Sequence, residues 1–292
     1  MAIRWDWLQP LITVPYLPAL GPVHPDAVTP GLVADVTRVA GTGRFLPYDK
    51  DSRWGGSKDE SVLTRAVMQE PGLVMVPTLN TRRVRSVKVC VYSREPRGWL
   101  SRAAELGRRL CAEHGAGKGR LAWFLPPGSD PDPVAACGRI QMLAFGSDRR
   151  SPVPGVLPLD ERTGAVRASF SVFAEKLAAE GFAFLDSHIR EHSGTGPVLT
   201  CEQDGKVVGA IGPMEIMPDS RDAARLLPQY FGVLPEYRGL GLGRSLWQAA
   251  VHWGRQHDAA YQLLQTEVGG ASDCLCRSEG LTDLGLVCTT QL

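Results

Sequence analysis

The sequence predicts an α/β fold, and three observations carry that reading. From residue 156 onward, strand-like and helix-like segments alternate. Asp204-Gly205 joins two apolar strands, and a glycine-rich loop at 238–244 lies between a strand pattern and a helix pattern. Elements in this order bury their apolar faces in layers of sheet and helix. The Asp-Gly hairpin makes at least part of the sheet antiparallel.

Residues 1–60 are rich in Pro and Gly and give weak signals. Segments 73–78 and 84–93 read as strands around Asn80-Thr81. Residues 99–114 read as a helix, with Leu100, Ala103, Ala104, Leu106, Leu110 and Cys111 at apolar positions. A strand at 121–125 and a second helix at 134–145 follow. The polar stretch 146–155, Gly-Ser-Asp-Arg-Arg-Ser-Pro-Val-Pro-Gly, has linker composition and divides the chain into 1–150 and 151–292.

Beyond it, 156–159 reads as a short strand. Helices at 168–180 and 182–192 are separated by Gly181 and ended by Ser-Gly-Thr-Gly. Strands at 198–203 and 206–211 flank the hairpin turn. A strand at 229–234 leads into the glycine-rich loop, and 245–257 is a helix with Leu246, Ala249, Ala250 and Trp253 on one face. A strand at 262–268, a short helix at 272–278 and a strand at 286–290 complete the chain. The strand–helix–strand–helix order of the first half repeats the order from residue 229 onward. That suggests a degenerate duplicate domain, although no sequence repeat accompanies it.

With 43% hydrophobic and 22% charged residues, the chain has globular rather than disordered composition. Its seven cysteines are scattered, with no Cys-x-x-Cys pair, so neither a disulfide framework nor a zinc knuckle is indicated. Asp6, Pro10, Pro15 and Pro18 interrupt the apolar N-terminal stretch, unlike a signal peptide. No apolar run has membrane-spanning length. These features point to a cytoplasmic protein with no membrane partner, and they leave a homodimer open. Residues 1–150 carry 21 Lys+Arg against 14 Asp+Glu, whereas 151–292 carry 11 against 17. The halves therefore face different partners, or simply opposite charge within one globule.

The segment Arg238-Gly239-Leu240-Gly241-Leu242-Gly243-Arg244, between strand and helix, is suited to holding phosphate. Glycine lets the backbone turn tightly and approach a ligand. The first amides of the following helix lack internal acceptors and carry the positive end of the dipole. Spacing excludes two rival motifs. After Gly239 and Gly241 a dinucleotide fingerprint needs glycine at 244, which is arginine, and no Gly-Lys-Ser/Thr ends the loop.

The arrangement Arg238-x-x-Gly241-x-Gly243 instead resembles the pyrophosphate-binding motif of the GCN5-related N-acetyltransferases. Val233-Leu234-Pro235-Glu236-Tyr237 is similar to that family's strand-to-loop segment. Leu275-Cys276-Arg277-Ser278-Glu279-Gly280-Leu281 is similar to its late Leu-Tyr-x-x-x-Gly-Phe segment, with two changes. The similarity spans roughly 153–292. It implies a mixed, mostly antiparallel sheet, splayed between the strands at 229–234 and 262–268 and flanked by helices. The first half would then be a degenerate domain of the same kind. It also implies acetyl-CoA as donor, with longer acyl chains left open. Pantetheine would pair with Phe231, Gly232 and Val233, and the pyrophosphate would lie on the 238–244 loop. Leu234, Ser272 and Leu275 would also contact the cofactor.

Acyl transfer to an amine needs a base for the amine and an acid for the departing thiolate. In the family the acid is often the tyrosine of the late segment; here Cys276 stands in its place. A thiol can donate a proton, while a buried structural cysteine is the alternative. Glu215 and Glu267 are candidate bases, each also readable as a solvated carboxylate, and Tyr230 is a third candidate. His188-Ile189-Arg190-Glu191-His192 spells a zinc-protease pattern, but His192 falls in the last helical turn, where histidines serve as caps; no metal is expected. The basic residues Arg82, Arg83, Arg85, Lys88, Arg94 and Arg97 read as one charged, solvated strand face. With only Tyr92 and Trp99 interleaved, they argue against nucleic acid.

The function these readings imply is acetyl-CoA-dependent N-acetylation of a small-molecule amine or a peptide α-amine. A non-catalytic CoA-binding or partner-binding module is the first alternative. Acyl or aminoacyl transfer from an RNA carrier is the second.

Overall fold

A computed structural model describes residues 3–82, 84–146, 153–192, 195–228 and 230–292. Arg83, the core of the linker, the Ser193-Gly194 helix terminator and Gln229 lie outside them. In chain order the elements are α1 (Trp5–Leu8), β1 (Tyr16–Leu17), β2 (Gly21–Pro22), α2 (Pro30–Arg38), β3 (Glu60–Val62), β4 (Met68–Glu70), β5 (Leu73–Asn80) and β6 (Ser86–Tyr92). Then follow α3 (Leu100–His114), β7 (Lys118–Leu125), β8 (Ala136–Ala144), β9 (Val156–Pro158), α4 (Gly164–Lys176) and α5 (Phe182–Glu191). The last are β10 (Leu199–Gln203), β11 (Lys206–Gly212), β12 (Ile216–Pro218), β13 (Ala224–Leu226), β14 (Tyr230–Val233), α6 (Leu242–Gln256), β15 (Tyr261–Glu267), α7 (Ala271–Ser278) and β16 (Thr282–Gln291). Among the described residues, no helix is long and apolar enough to cross a membrane.

The chain divides into two compact units. One comprises residues 1–143, 219–222 and 263–292; the other comprises 144–218 and 223–262. The first contains a mixed sheet in the order β15-β8-β16-β7-β6-β5-β3, with β4 also pairing β5. Within it β6 and β7 run parallel, whereas β16 is antiparallel to both β7 and β8.

Both faces of this sheet are covered, which is why its central strands are apolar without alternation. Val74, Val76, Cys90, Tyr92 and Phe124 join a core with Leu8, Leu17, Leu32 and Val36. Leu73, Met75, Val87, Val89, Val91 and Trp123 pack with Ala103, Leu106 and Leu110 of α3. Helix α3 ends where Gly115 takes a left-handed conformation, φ 59°.

One expectation fails here. Within residues 134–145, predicted helical, Ala136–Ala144 form strand β8, paired with β16 from Ala136↔Thr289 to Met142↔Thr282. The apolar residues of this segment fit a helical period, but the pairing imposes a period of two. Ile140 points into one core while Arg139 and Gln141 turn their polar ends to Asp273. Tertiary pairing overrides local preference.

The second unit contains a four-stranded antiparallel sheet, β14-β11-β10-β9. Asp204 and Gly205, at φ 50° and 73°, make the predicted hairpin turn. A hairpin of β12 and β13 adds a parallel pairing of β13 with Tyr261 and Gln262 at the start of β15. The architecture is thus mixed α/β, as predicted.

Helices α4 and α5 cover one face of the four-stranded sheet and α6 the other, and two glycines mark the faces. A Cβ on Gly209 would lie 3.0 Å from Leu246 of α6, whereas one on Gly232 would lie 2.8 Å from Leu177 and 2.9 Å from Phe182. Leu177 and Phe182 are fully buried. Gly232→Val therefore forces two packed side chains aside. It should lower unfolding stability by about 1–3 kcal/mol, measurable by urea denaturation.

Candidate active site

Strand β14 is one edge of its sheet, and its register decides which backbone groups face outward. The amide of Leu234 donates to the Val208 carbonyl at 2.9 Å. In an antiparallel pair, inward- and outward-facing residues alternate. Gly232, opposite Ala210, therefore turns its N–H and C=O toward β11, while Phe231 and Val233 turn theirs toward the open edge. The outward carbonyl of Val233 accepts a 3.0 Å hydrogen bond from Nε of Arg238. Arg238 also lies 3.9 Å from Glu180.

After a turn at 235–237 the chain enters the loop. Gly239 and Gly241 have φ 82° and 81°, and a Cβ on either would meet nothing within 4 Å. Gly241 is the N-cap of α6 and provides no side-chain cap. The first turn of α6 therefore begins without the side-chain acceptor that caps most helices. Ser245 is the first residue whose amide reaches back into the helix, to the Gly241 carbonyl at 3.1 Å. The amides of 242 and 243 have no carbonyl one turn earlier within the helix. They open beside exposed Leu240 and Gly241. Gly243 lies under Phe231, whose ring would be 3.6 Å from an added Cβ. A polar strand edge thus leads to an open, side-chain-free helix N-terminus, a combination suited to an extended ligand ending in an anion.

The predicted site residues divide between the units. Phe231, Gly232, Val233, Leu234, the 238–244 loop and Glu215 belong to the second; Glu267, Ser272, Leu275 and Cys276 belong to the first. Glu215 is half-buried, and its carbonyl accepts from the Leu227 amide. Glu267 is exposed on β15, and its carbonyl accepts from Gly270. Cys276 is buried in α7; burial, then the charge of Asp273, pushes its thiol up to about 12. Ser272 and Leu275 are half-buried on the same helix.

The start of α7 is anchored by residues that sequence reading placed on a helix. Asp273 is fully buried and accepts from Arg139 at 3.0 Å and from Gln141 at 3.1 Å, while its other oxygen caps the Gly269 amide at 3.0 Å. Arg139 also reaches Asp283 at 2.5 Å, and Gln141 reaches Thr266 at 3.0 Å. Their alternating positions, 139 and 141, were the available signal, hidden by the helical reading. Arg139→Met strands a buried carboxylate. A loss of about 3 kcal/mol or more is expected in denaturation of the full chain.

One other sequence feature resolves differently. Lys88 is not on a solvated basic face: it is buried, 2.7 Å from Glu60 and 3.3 Å from the Tyr16 hydroxyl. Arg85 donates to the His114 carbonyl, and Arg97 pairs with Asp132 at 3.1 Å. His188 and His192 stack at 4.3 Å near the end of α5. Among the described residues no group of three or more His, Cys, Asp or Glu is suited to hold a metal.

The start of α6, with no side-chain cap, thus lies beside the open edge of β14. Residues 165–271 match the model of the Acetyltransferase (GNAT) family. Residues 165–271 are thus similar to that family, whose members are generally acyl- or acetyltransferases. Similar solved structures include a GCN5-related N-acetyltransferase from Sphaerobacter thermophilus, 14% identical, covering 89% of this chain and 92% of that one at TM-score 0.47. An acetyltransferase of the GNAT family from Colwellia psychrerythraea is 11% identical, covering 90% and 97% at TM-score 0.47. A tandem GNAT protein from the clavulanic acid biosynthesis pathway is 15% identical, covering 94% and 96% at TM-score 0.47. No curated protein matches the chain in sequence.

Proposed function

We propose that the protein is an acetyl-CoA-dependent N-acetyltransferase acting on the primary amine of a small molecule or on a peptide α-amine. The observation that carries this reading is the continuity from the outward-facing backbone of Phe231 and Val233 to the uncapped start of α6. Pantetheine amides extend β14 through those backbone groups, and the pyrophosphate sits on the amides of Leu242, Gly243 and Arg244, with Gly239 and Gly241 giving it room. Residues 1–150 act as a degenerate domain with no second cofactor loop, because Ser93-Arg-Glu-Pro-Arg-Gly98 contains Pro96, which has no amide to offer. One cofactor is bound per chain.

The acceptor amine must lose a proton before it attacks the thioester. Glu215 and Glu267 are the carboxylates proposed to take it, directly or through water. Cys276, enclosed and with a raised pKa, fits a packing role better than proton donation. The departing thiolate then draws its proton from water. The same observation favours a second reading, a CoA-binding module without turnover.

Incubation of the full chain with acetyl-CoA and a panel of primary amines and peptides, with free thiol recorded, separates the two. Acceptor-dependent thiol release supports the enzyme. Tight acetyl-CoA binding with no release across the panel supports the module.

A further inference from the structure

Cys137 on β8 and Cys288 on β16 stand 151 positions apart in sequence and directly opposite each other in an antiparallel ladder. Opposed residues in such a ladder share a face and keep their Cα atoms about 4.5–5.5 Å apart. That separation lies within the range a disulfide spans. The two Sγ atoms are 2.6 Å apart. Neither strand needs to move to join them. Strand β16 is held on both sides, by β7 at Trp123↔Cys288 and by β8. Cys288 is fully buried, whereas Cys137 is half-buried.

We propose that Cys137 and Cys288 form a reversible thiol–disulfide couple, a redox modification site that clamps the C-terminal strand to β8. The oxidant is a small-molecule disulfide. Cys137, the more accessible thiol, attacks one sulfur of that molecule as thiolate and releases one small thiol. Cys288 then loses its proton and attacks Sγ of Cys137, releasing the second. Two protein thiols lose two electrons and two protons, and one external disulfide becomes two thiols.

Burial and the neighbouring Cys137 push Cys288 up to about 12, consistent with Cys137 reacting first. The clamp closes a loop that contains the whole of the second unit, residues 144–218 and 223–262. It also lies two residues from Arg139, so the strand pair bearing the α7 anchor becomes covalently fixed.

The test incubates the full chain with oxidised glutathione, alkylates the remaining thiols in denaturant and maps the peptides by mass spectrometry. Support is a loss of two alkylatable thiols from the seven, a Cys137–Cys288 cross-linked peptide lighter by two hydrogens, and reversal by dithiothreitol. The oxidised form should also melt about 5 °C higher or more. The variant Cys288→Ser should show no such shift and should carry glutathione on Cys137. The proposal is overturned if both thiols remain alkylatable, if each carries its own glutathione, or if either pairs with a different cysteine.

Discussion

Gly241→Asp should weaken the acetyl-CoA binding proposed for this loop about 100-fold or more, while the fold is retained. Gly241 sits at φ 81° as the N-cap of α6, and a Cβ there meets nothing within 4 Å. The backbone conformation costs a non-glycine residue about 1 kcal/mol, least for Asp and Asn. The larger effect is electrostatic. A carboxylate at the N-cap competes for the same amides and the same dipole as the pyrophosphate, and it repels the anion. Gly241→Asn separates these terms, since it has similar backbone tolerance and no charge. Calorimetry should show Asn retaining most of the affinity that Asp removes. Equal losses in both variants would mean that backbone strain, not anion placement, governs the loop.

Lys88→Met should strongly destabilise the first unit, lowering stability by about 3–5 kcal/mol. Lys88 and Glu60 have side chains only 8% and 19% exposed, and Thr78 donates to Glu60 at 2.6 Å. Removing the ammonium leaves a carboxylate in a site built around its partner. Adding Glu60→Leu to Lys88→Met should recover most of the loss, because a matched apolar pair often replaces a buried ion pair at little cost.

The pH dependence follows from the same pair. Burial alone would raise Glu60, but the Lys88 ammonium and the hydrogen bonds hold it below its usual value. Burial alone would lower Lys88, but Tyr16 and Glu60 hold it above its usual value. The depressed carboxylate contributes stability that is present above its unfolded value of about 4.3 and lost as pH falls through the folded one. The raised ammonium contributes stability that is present below its unfolded value of about 10.4 and lost only as pH rises through the folded one. Denaturation from pH 5 down to 2 should narrow the gap between wild type and Lys88→Met.

The glycine-rich loop between β14 and α6 was legible in the sequence because its signal is local. Glycine at 239 and 241 permits the left-handed turns, and the flanking strand and helix patterns lie within a few residues. The Asp204-Gly205 hairpin and the break at Gly181 were legible for the same reason. Strand β8 was not, because its partner β16 lies more than a hundred residues away and its own residues fit a helical period as well. That one misreading also concealed the Arg139–Gln141–Asp273 anchor and the opposition of Cys137 to Cys288. Lys88 looked solvated because nothing near it in sequence shows that Glu60 will meet it inside the core. Gly232 was expected at the ligand by analogy; its missing side chain also makes room for Leu177 and Phe182, a packing role that no local sequence signal announces.

The central claim is that one acyl-CoA is held by β14 and the start of α6. The most direct measurement is calorimetric titration of acetyl-CoA into the full-length protein, with wild type and Gly241→Asp compared at equal salt. The expected result is saturable binding of one acetyl-CoA per chain in wild type, lost in the variant with an unchanged circular dichroism spectrum. Two equivalents bound per chain, no binding in wild type, or equal affinity in both proteins would contradict it.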